Sequence, residues 1–210
     1  MNKLFIIGLP RTGTTSISAV LLDHFKVCHT AYTIRAFELA QVISDCPCFS
    51  DYQALDKLFP QSKFVYLNRP MELWLPSIQM LLNKMLPSLN SRNYVNPILK
   101  RSFEQTFELN KKGDFLSESS LTACYQRHQK SVLNYFEGRD NLLTIDISQR
   151  DSLPNLLKFL GLNYTGDEIF PHLNIGKRVD NWKEIKHLNK VNPNAAGKHG
   201  RKYFDDSLLK

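Results

Sequence analysis

The stretch "KLFIIGLPRTGTTS", Lys3 to Ser16, decides how the chain is read. Its first half, Lys3 to Gly8, is a continuous apolar run, the pattern of a parallel strand covered on both faces. From Gly13 onward Ile17, Val20, Leu21 and Phe25 recur at helical spacing, so the strand leads through a glycine loop into a helix over Gly13 to Phe25. That context suits phosphate, because a helix N-terminus offers N–H groups and the positive end of its dipole. Gly8 and Gly13 have the spacing of a Walker A loop and Thr15 stands at its hydroxyl position. The lysine position, however, holds Thr14, and the cation of the loop is Arg11.

Strand and helix signals alternate beyond the loop. "KVCHT" (26–30), "KFVYL" (63–67) and "NLLTIDI" (141–147) read as strands. Helices are expected over 50–60, from Pro70 onward, over 116–136 and over 151–162, the last stopped by Gly161. Pro76 falls inside the helix that follows Pro70, where a missing N–H favours a kink. Such alternation specifies an α/β fold: a three-layer arrangement like that of the P-loop NTPases, with a central parallel sheet. Residues 83–120 lack strand signals and read as a helical insertion. No internal repeat or linker divides the chain, so one domain over 1–210 is expected.

The chain has 210 residues, enough for one domain with a real core, and ordinary globular composition. No apolar run approaches the length of a membrane span, and the N-terminal run flows into the loop instead of a cleavage site. Cys28, Cys46, Cys48 and Cys124 form neither a disulfide framework nor paired zinc motifs; a reduced, cytoplasmic setting fits them. Formal net charge is +7, and residues 177–210 alone carry nine Lys/Arg against four Asp/Glu. That tail suits a polyanion, a membrane surface or simply solvent.

Phosphoryl transfer normally uses Mg²⁺ held by the loop hydroxyl and by an Asp ending a nearby strand. Here "KFVYL" ends in Asn68-Arg69, although "NLLTIDI" does offer Asp146. Fixed cations in place of a metal suit transfer of a group other than phosphoryl.

"GLPRTGTTS" resembles the 5′-phosphosulfate loop of sulfotransferases, which use 3′-phosphoadenosine 5′-phosphosulfate (PAPS). The resemblance implies donor contacts from Pro10, Arg11, Thr12, Gly13, Thr14 and Thr15. In "LNRPMELWLPS", Arg69 and Ser77 have the spacing with which that family holds the 3′-phosphate. Eight residues is just over two helical turns, so both would lie near one helix face. "SDCPCFSDYQALDKLFPQSKFVYLNRP", "YQRHQKSVLNYFEGR", "LLKFLGL" and "FPHLN" resemble one sulfotransferase family, in the expected order. The basic segment "IGKRVDNWKEI" resembles a further 3′-phosphate element, with Lys177 and Arg178 as its contacts, in a register shifted by about one residue.

Sulfuryl transfer to a hydroxyl or amine also needs a base. His29, closing the second strand, is the first candidate and Asp45 the second; Asp51 and Glu38 follow. Asp45 could instead cap a turn. His128 falls on an apolar helical stripe and reads as a core histidine, while Trp74 and Trp182 read as packing or as platforms for adenine. The chain is thus read as a PAPS-dependent sulfotransferase that requires no metal. Its partners would be PAPS, the product 3′-phosphoadenosine 5′-phosphate (PAP), and a small-molecule, carbohydrate or lipid acceptor, with no nucleic acid. The alternatives are a P-loop small-molecule kinase and a non-catalytic binder of nucleotide or nucleic acid.

Overall fold

The computed structural model describes residues 3–89, 95–110, 113–165, 167, 169–171, 181–198 and 200–204. The elements run β1 (Leu4–Ile6), α1 (Thr14–Leu21), β2 (Val27–His29), α2 (Ile34–Leu39), β3 (Val42–Ser44), α3 (Cys48–Leu58) and β4 (Lys63–Leu67). They continue with α4 (Met71–Leu89), α5 (Pro97–Phe107), α6 (Glu118–Tyr135), β5 (Leu142–Ile145), α7 (Ser152–Leu160) and the short turn α8 (Asn181–Glu184). The five strands form one sheet in the order β2-β3-β1-β4-β5, with every pairing parallel. The α/β reading therefore holds, with helices on both faces of a parallel sheet.

The strand residues explain the layers. Successive side chains in a strand point to opposite faces. In β1 and the residue after it, Phe5 and Ile7 join Phe64 and Tyr66 of β4 under α2, α3 and α6. Leu4 and Ile6 join Val65 and Leu67 on the other face, against α1 and α7. All eight are buried, so β1 and, beyond Lys63, β4 are apolar at every position and the sheet is covered on both sides there. A third cluster, built from α4, α5 and α6 around Trp74, Ile78, Phe103 and Tyr125, packs beyond the sheet edge on which the loop opens.

Several boundaries differ from those expected. The first helix is shorter, Thr14–Leu21, because the chain turns at Leu22. α2 and β3 were not expected at all. β3 has only three residues, too few for a periodicity to register, while α2 is announced by the cap of Thr33, whose hydroxyl accepts from Ala36 N. Pro76 is accommodated: α4 runs through it and through Pro87 as one helix. In the stretch 83–120 the described residues hold the end of α4, all of α5 and the start of α6. The tail returns along the edge strand. Val27 N donates to Asn189 O and Val191 N to Val27 O, both at 2.8 Å, and Tyr203 bridges Thr33. β2 is thereby shielded from pairing with another chain.

Candidate active site

The loop between β1 and α1 is held from three sides. Thr12 turns its hydroxyl back to Leu9 O at 2.7 Å, and Trp74 of α4 donates its indole N–H to Pro10 O at 2.9 Å. Arg69, just past β4, donates to the main-chain oxygen of Arg11. Gly13 takes φ 110°, and a Cβ there would stand 2.3 Å from Cδ1 of Ile147, so the position is closed to side chains on two counts. Gly13 also lacks a side chain to cap the first N–H groups of α1, which leaves that turn to be met by something other than its own N-cap.

Arg11 donates from Nε to Ser77 Oγ at 2.8 Å. Residues expected to share the two ends of one ligand are therefore joined already: Arg11 to Ser77 by a side chain, and Arg69 to Arg11 through its backbone. Burial, then the neighbouring Arg69, pushes the Arg11 guanidinium below its ordinary pKa, while Asp45 acts the other way. Arg69 is lowered by burial too. Two cations held this close repel one another unless an anion lies between them. Tyr125 of α6 fixes the Arg69 corner, with its hydroxyl 2.6 Å from Asn68 Oδ1 and 2.7 Å from Arg69 O.

On the far side of the loop, the two threonines meet the candidate bases. Thr15 Oγ1 lies 3.1 Å from His29 Nε2, and Thr14 Oγ1 3.4 Å from the same nitrogen. Thr14 donates to Asp45 Oδ2 at 3.2 Å, and Asp45 lies 3.7 Å from His29 Nε2. The geometry follows from the sheet, since β2 and β3 are neighbours in register His29 to Ser44 and Asp45 is the next residue. His29 is largely buried, with 11% of its side chain exposed. Burial lowers its pKa below the usual histidine value; Asp45 and the ring's bond to its own main chain partly offset this, and Lys190 adds to it. His29 is thus held neutral near pH 7.

Backbone strain gathers at the same place. Of the five non-glycine residues with positive φ among those described, Arg11 (72°), Thr30 (63°) and Asp45 (63°) belong to this site. Each costs on the order of 1–3 kcal/mol, and such strain persists where surrounding contacts over-determine the conformation.

Other expected residues fall elsewhere. Asp51 is buried in the first turn of α3, where both oxygens are taken by Arg101 at 3.0 and 2.6 Å. Glu38 pairs with Arg35 on an exposed face of α2. Neither is brought to the loop. Lys177 and Arg178 lie outside the described residues. His128 is a core histidine, bonded through Nε2 to Phe49 O at 2.8 Å and with its pKa brought down to about 4 by burial. Asp146 spends Oδ1 on the N–H and hydroxyl of Ser148, closing its own turn. Trp182, expected as packing or as a platform for adenine, stacks on His29 with ring centroids 5.4 Å apart. Ile147, which closes over Gly13 from far along the chain, carried no usable signal.

A family model described as a sulfotransferase domain matches residues 23–179. The chain belongs to that family, and its chemistry in general terms is sulfuryl transfer. The match begins at Asp23, so the Gly8–Ser16 loop lies ahead of it, whereas His29, Asp45, Arg69 and Ser77 lie within it. No curated protein matches the chain.

Proposed function

We propose that the chain transfers the sulfuryl group of PAPS to a hydroxyl or amine. The observation that carries this is the convergence on one loop of Arg11, Arg69 and Ser77 from one side and His29 with Asp45 from the other. Arg11 and the first-turn N–H groups of Gly13, Thr14 and Thr15 hold the phosphosulfate; Arg69 and Ser77 hold the 3′-phosphate. With Nδ1 carrying the proton, His29 Nε2 presents a lone pair to the acceptor. As the acceptor oxygen or nitrogen bonds to sulfur, its proton passes to Nε2 and the S–O bond to the phosphate breaks. The electron pair goes to that phosphate, where Arg11 and the amides stabilise the charge that develops. Asp45, beside the imidazole, stabilises the imidazolium so formed. The phosphates are neutralised by protein cations, so this scheme requires no metal, and its setting is cytoplasmic.

A kinase reading is less well supported: the Walker lysine position is Thr14, and Asp146 is engaged in its own turn. The test is thermal stabilisation by PAP compared with ATP plus Mg²⁺. A ligand that binds only the folded state stabilises by RT ln(1 + [L]/Kd). PAP is expected to raise the melting temperature clearly more than ATP, which has no 3′-phosphate. Equal shifts would remove Arg69 and Ser77 as readers of the 3′-phosphate, and turnover that required Mg²⁺ would favour the kinase.

A further inference from the structure

Away from the loop, α3, α5 and α6 enclose a groove of about 820 Å³. That is within the range of small-ligand sites, roughly 300–1,000 Å³. None of Arg11, His29, Asp45, Arg69 or Ser77 lines it. Its floor is ordinary core, formed by buried Phe49, Tyr52 and Cys124. Its walls are not. Beside Ala54 and Leu58, α3 lines the groove with Ser50, Gln53 and Lys57, and α6 lines it with Arg127 and Ser131. Those spacings of three and four put each set on one helical face. Faces that helices turn toward one another are normally apolar and interlock. Here the groove is bordered by the solvent-facing polar stripes of α3 and α6.

The charge of the lining is positive. Lys57, Arg101 and Arg127 stand against one carboxylate, Asp51. Asp51 is buried, is held through both oxygens by Arg101 and accepts the Ser50 hydroxyl at 2.8 Å, so it presents little negative charge to the opening. Arg127 approaches Glu108 at 3.7 Å, but both are solvated, and such a pair is worth little. Neutral groups accompany the cations. The hydroxyls of Tyr52 and Ser131 lie 2.6 Å apart and use one O–H between them, which leaves the other to donate. Under the same wall His128 Nδ1 is buried with no hydrogen-bond partner among the described residues, while Nε2 is bonded to Phe49 O.

We propose that this groove is a second binding site, for a small polyhydroxylated ligand bearing a tetrahedral oxyanion: a sugar sulfate or a sugar phosphate. Lys57 and Arg127, toward opposite ends of the groove, are the cations that can meet the anion, and Gln53, Ser131 and their neighbours meet the hydroxyls. The site does not depend on the PAPS assignment, since it is argued from a different part of the molecule. Its nearest link to the reaction is α3, whose first turn carries Asp51 six residues after Asp45.

The test is an amide chemical-shift titration of the full chain with glucose 6-sulfate, glucose 6-phosphate and glucose, repeated on Lys57→Gln/Arg127→Gln. Both substituted residues are exposed, so the variant is expected to fold as the parent does. The esters should shift amides of 53–57 and 127–131, glucose should bind roughly tenfold more weakly or worse, and the double variant should lose roughly tenfold or more in ester affinity. The tighter ester names the natural source; equal affinities support the site with either. Shifts confined to the Gly8–Ser16 loop, an affinity unchanged in the double variant, or no shift at millimolar ester would overturn the proposal.

Discussion

The two sides of the loop are built differently. On one side Arg11, Arg69 and Ser77 are locked to one another and to backbone, through Arg11 Nε to Ser77 and Arg69 to Arg11 O. On the other, His29 and Asp45 meet the loop through the hydroxyls of Thr14 and Thr15, at 3.1 to 3.4 Å. The first arrangement suits a ligand whose shape never changes, such as a nucleotide with two phosphates. The second suits a group that must exchange partners, because a hydroxyl can yield its place to an acceptor at little cost. The difference predicts that damage on the cation side appears in donor affinity and damage on the histidine side appears in turnover.

The largest expected effect is that of His29→Asn. Loss of a positioned base costs roughly 10²–10⁴ in rate. Turnover should fall by that amount while PAP affinity stays within about threefold, since a base contacts the acceptor and not the donor. Isothermal titration with PAP alongside steady-state rates checks both halves. A variant with PAP affinity lost and its rate merely halved would put His29 on the donor side and erase the contrast.

Next comes Arg69→Ala. A charged hydrogen bond to phosphate contributes about 1.5–3 kcal/mol, so PAP should bind roughly tenfold to a hundredfold more weakly. Arg11→Ala should lower turnover more than PAP affinity, because its charge is needed where the bond breaks. Identical profiles for the two variants would show that the locked cations act as one unit.

Gly13→Ala sharpens the comparison through stability. The new methyl meets Ile147 and must adopt φ 110°, a strain of on the order of 1–3 kcal/mol. For a chain of this size each kcal/mol lowers the melting temperature by about 2–4 °C. Adding Ile147→Ala should relieve the clash and leave the dihedral strain, so recovery should be partial. Full recovery would mean that the loop tolerates a side chain at Gly13 and that Ile147 alone excludes it.

The cation side was also the more legible in sequence. Arg11 between two glycines, and Arg69 eight residues before Ser77, are spacings that survive without a structure. The bond from Arg69 to the Arg11 carbonyl is not legible, because a positive φ at an arginine leaves no mark on composition. β1 and β4 were legible for the same reason that they are stable: runs apolar at every position, or nearly so, must be covered twice. β3 is three residues long and α2 six, and their place depends on the sheet order, which brings Asp45 beside His29. The histidine side needed that order, and it needed Trp182 to return from the other end of the chain. Contacts of this kind are tertiary, and local periodicity does not carry them.

The smallest effect expected is that of Asp45→Asn, and it bears most directly on which group is the base. If His29 accepts the proton and Asp45 only supports its charge, turnover near neutral pH should fall by about tenfold or less, as for loss of one charge-assisted contact. The pH profile adds a second reading. His29 must be neutral to act, so activity is lost as pH falls through its folded pKa, which burial already holds below the usual histidine value. Asp45 raises that pKa, since a nearby negative charge favours the imidazolium. Removing the charge should therefore move the acidic limb to still lower pH. Stability has the same sign. A histidine whose folded pKa is depressed binds fewer protons folded than unfolded, so its contribution is present above about pH 6.5 and shrinks as pH falls below it. Asp45→Asn should steepen that loss. A collapse of turnover at every pH, together with an acidic limb that disappears, would instead make Asp45 the base and His29 its support.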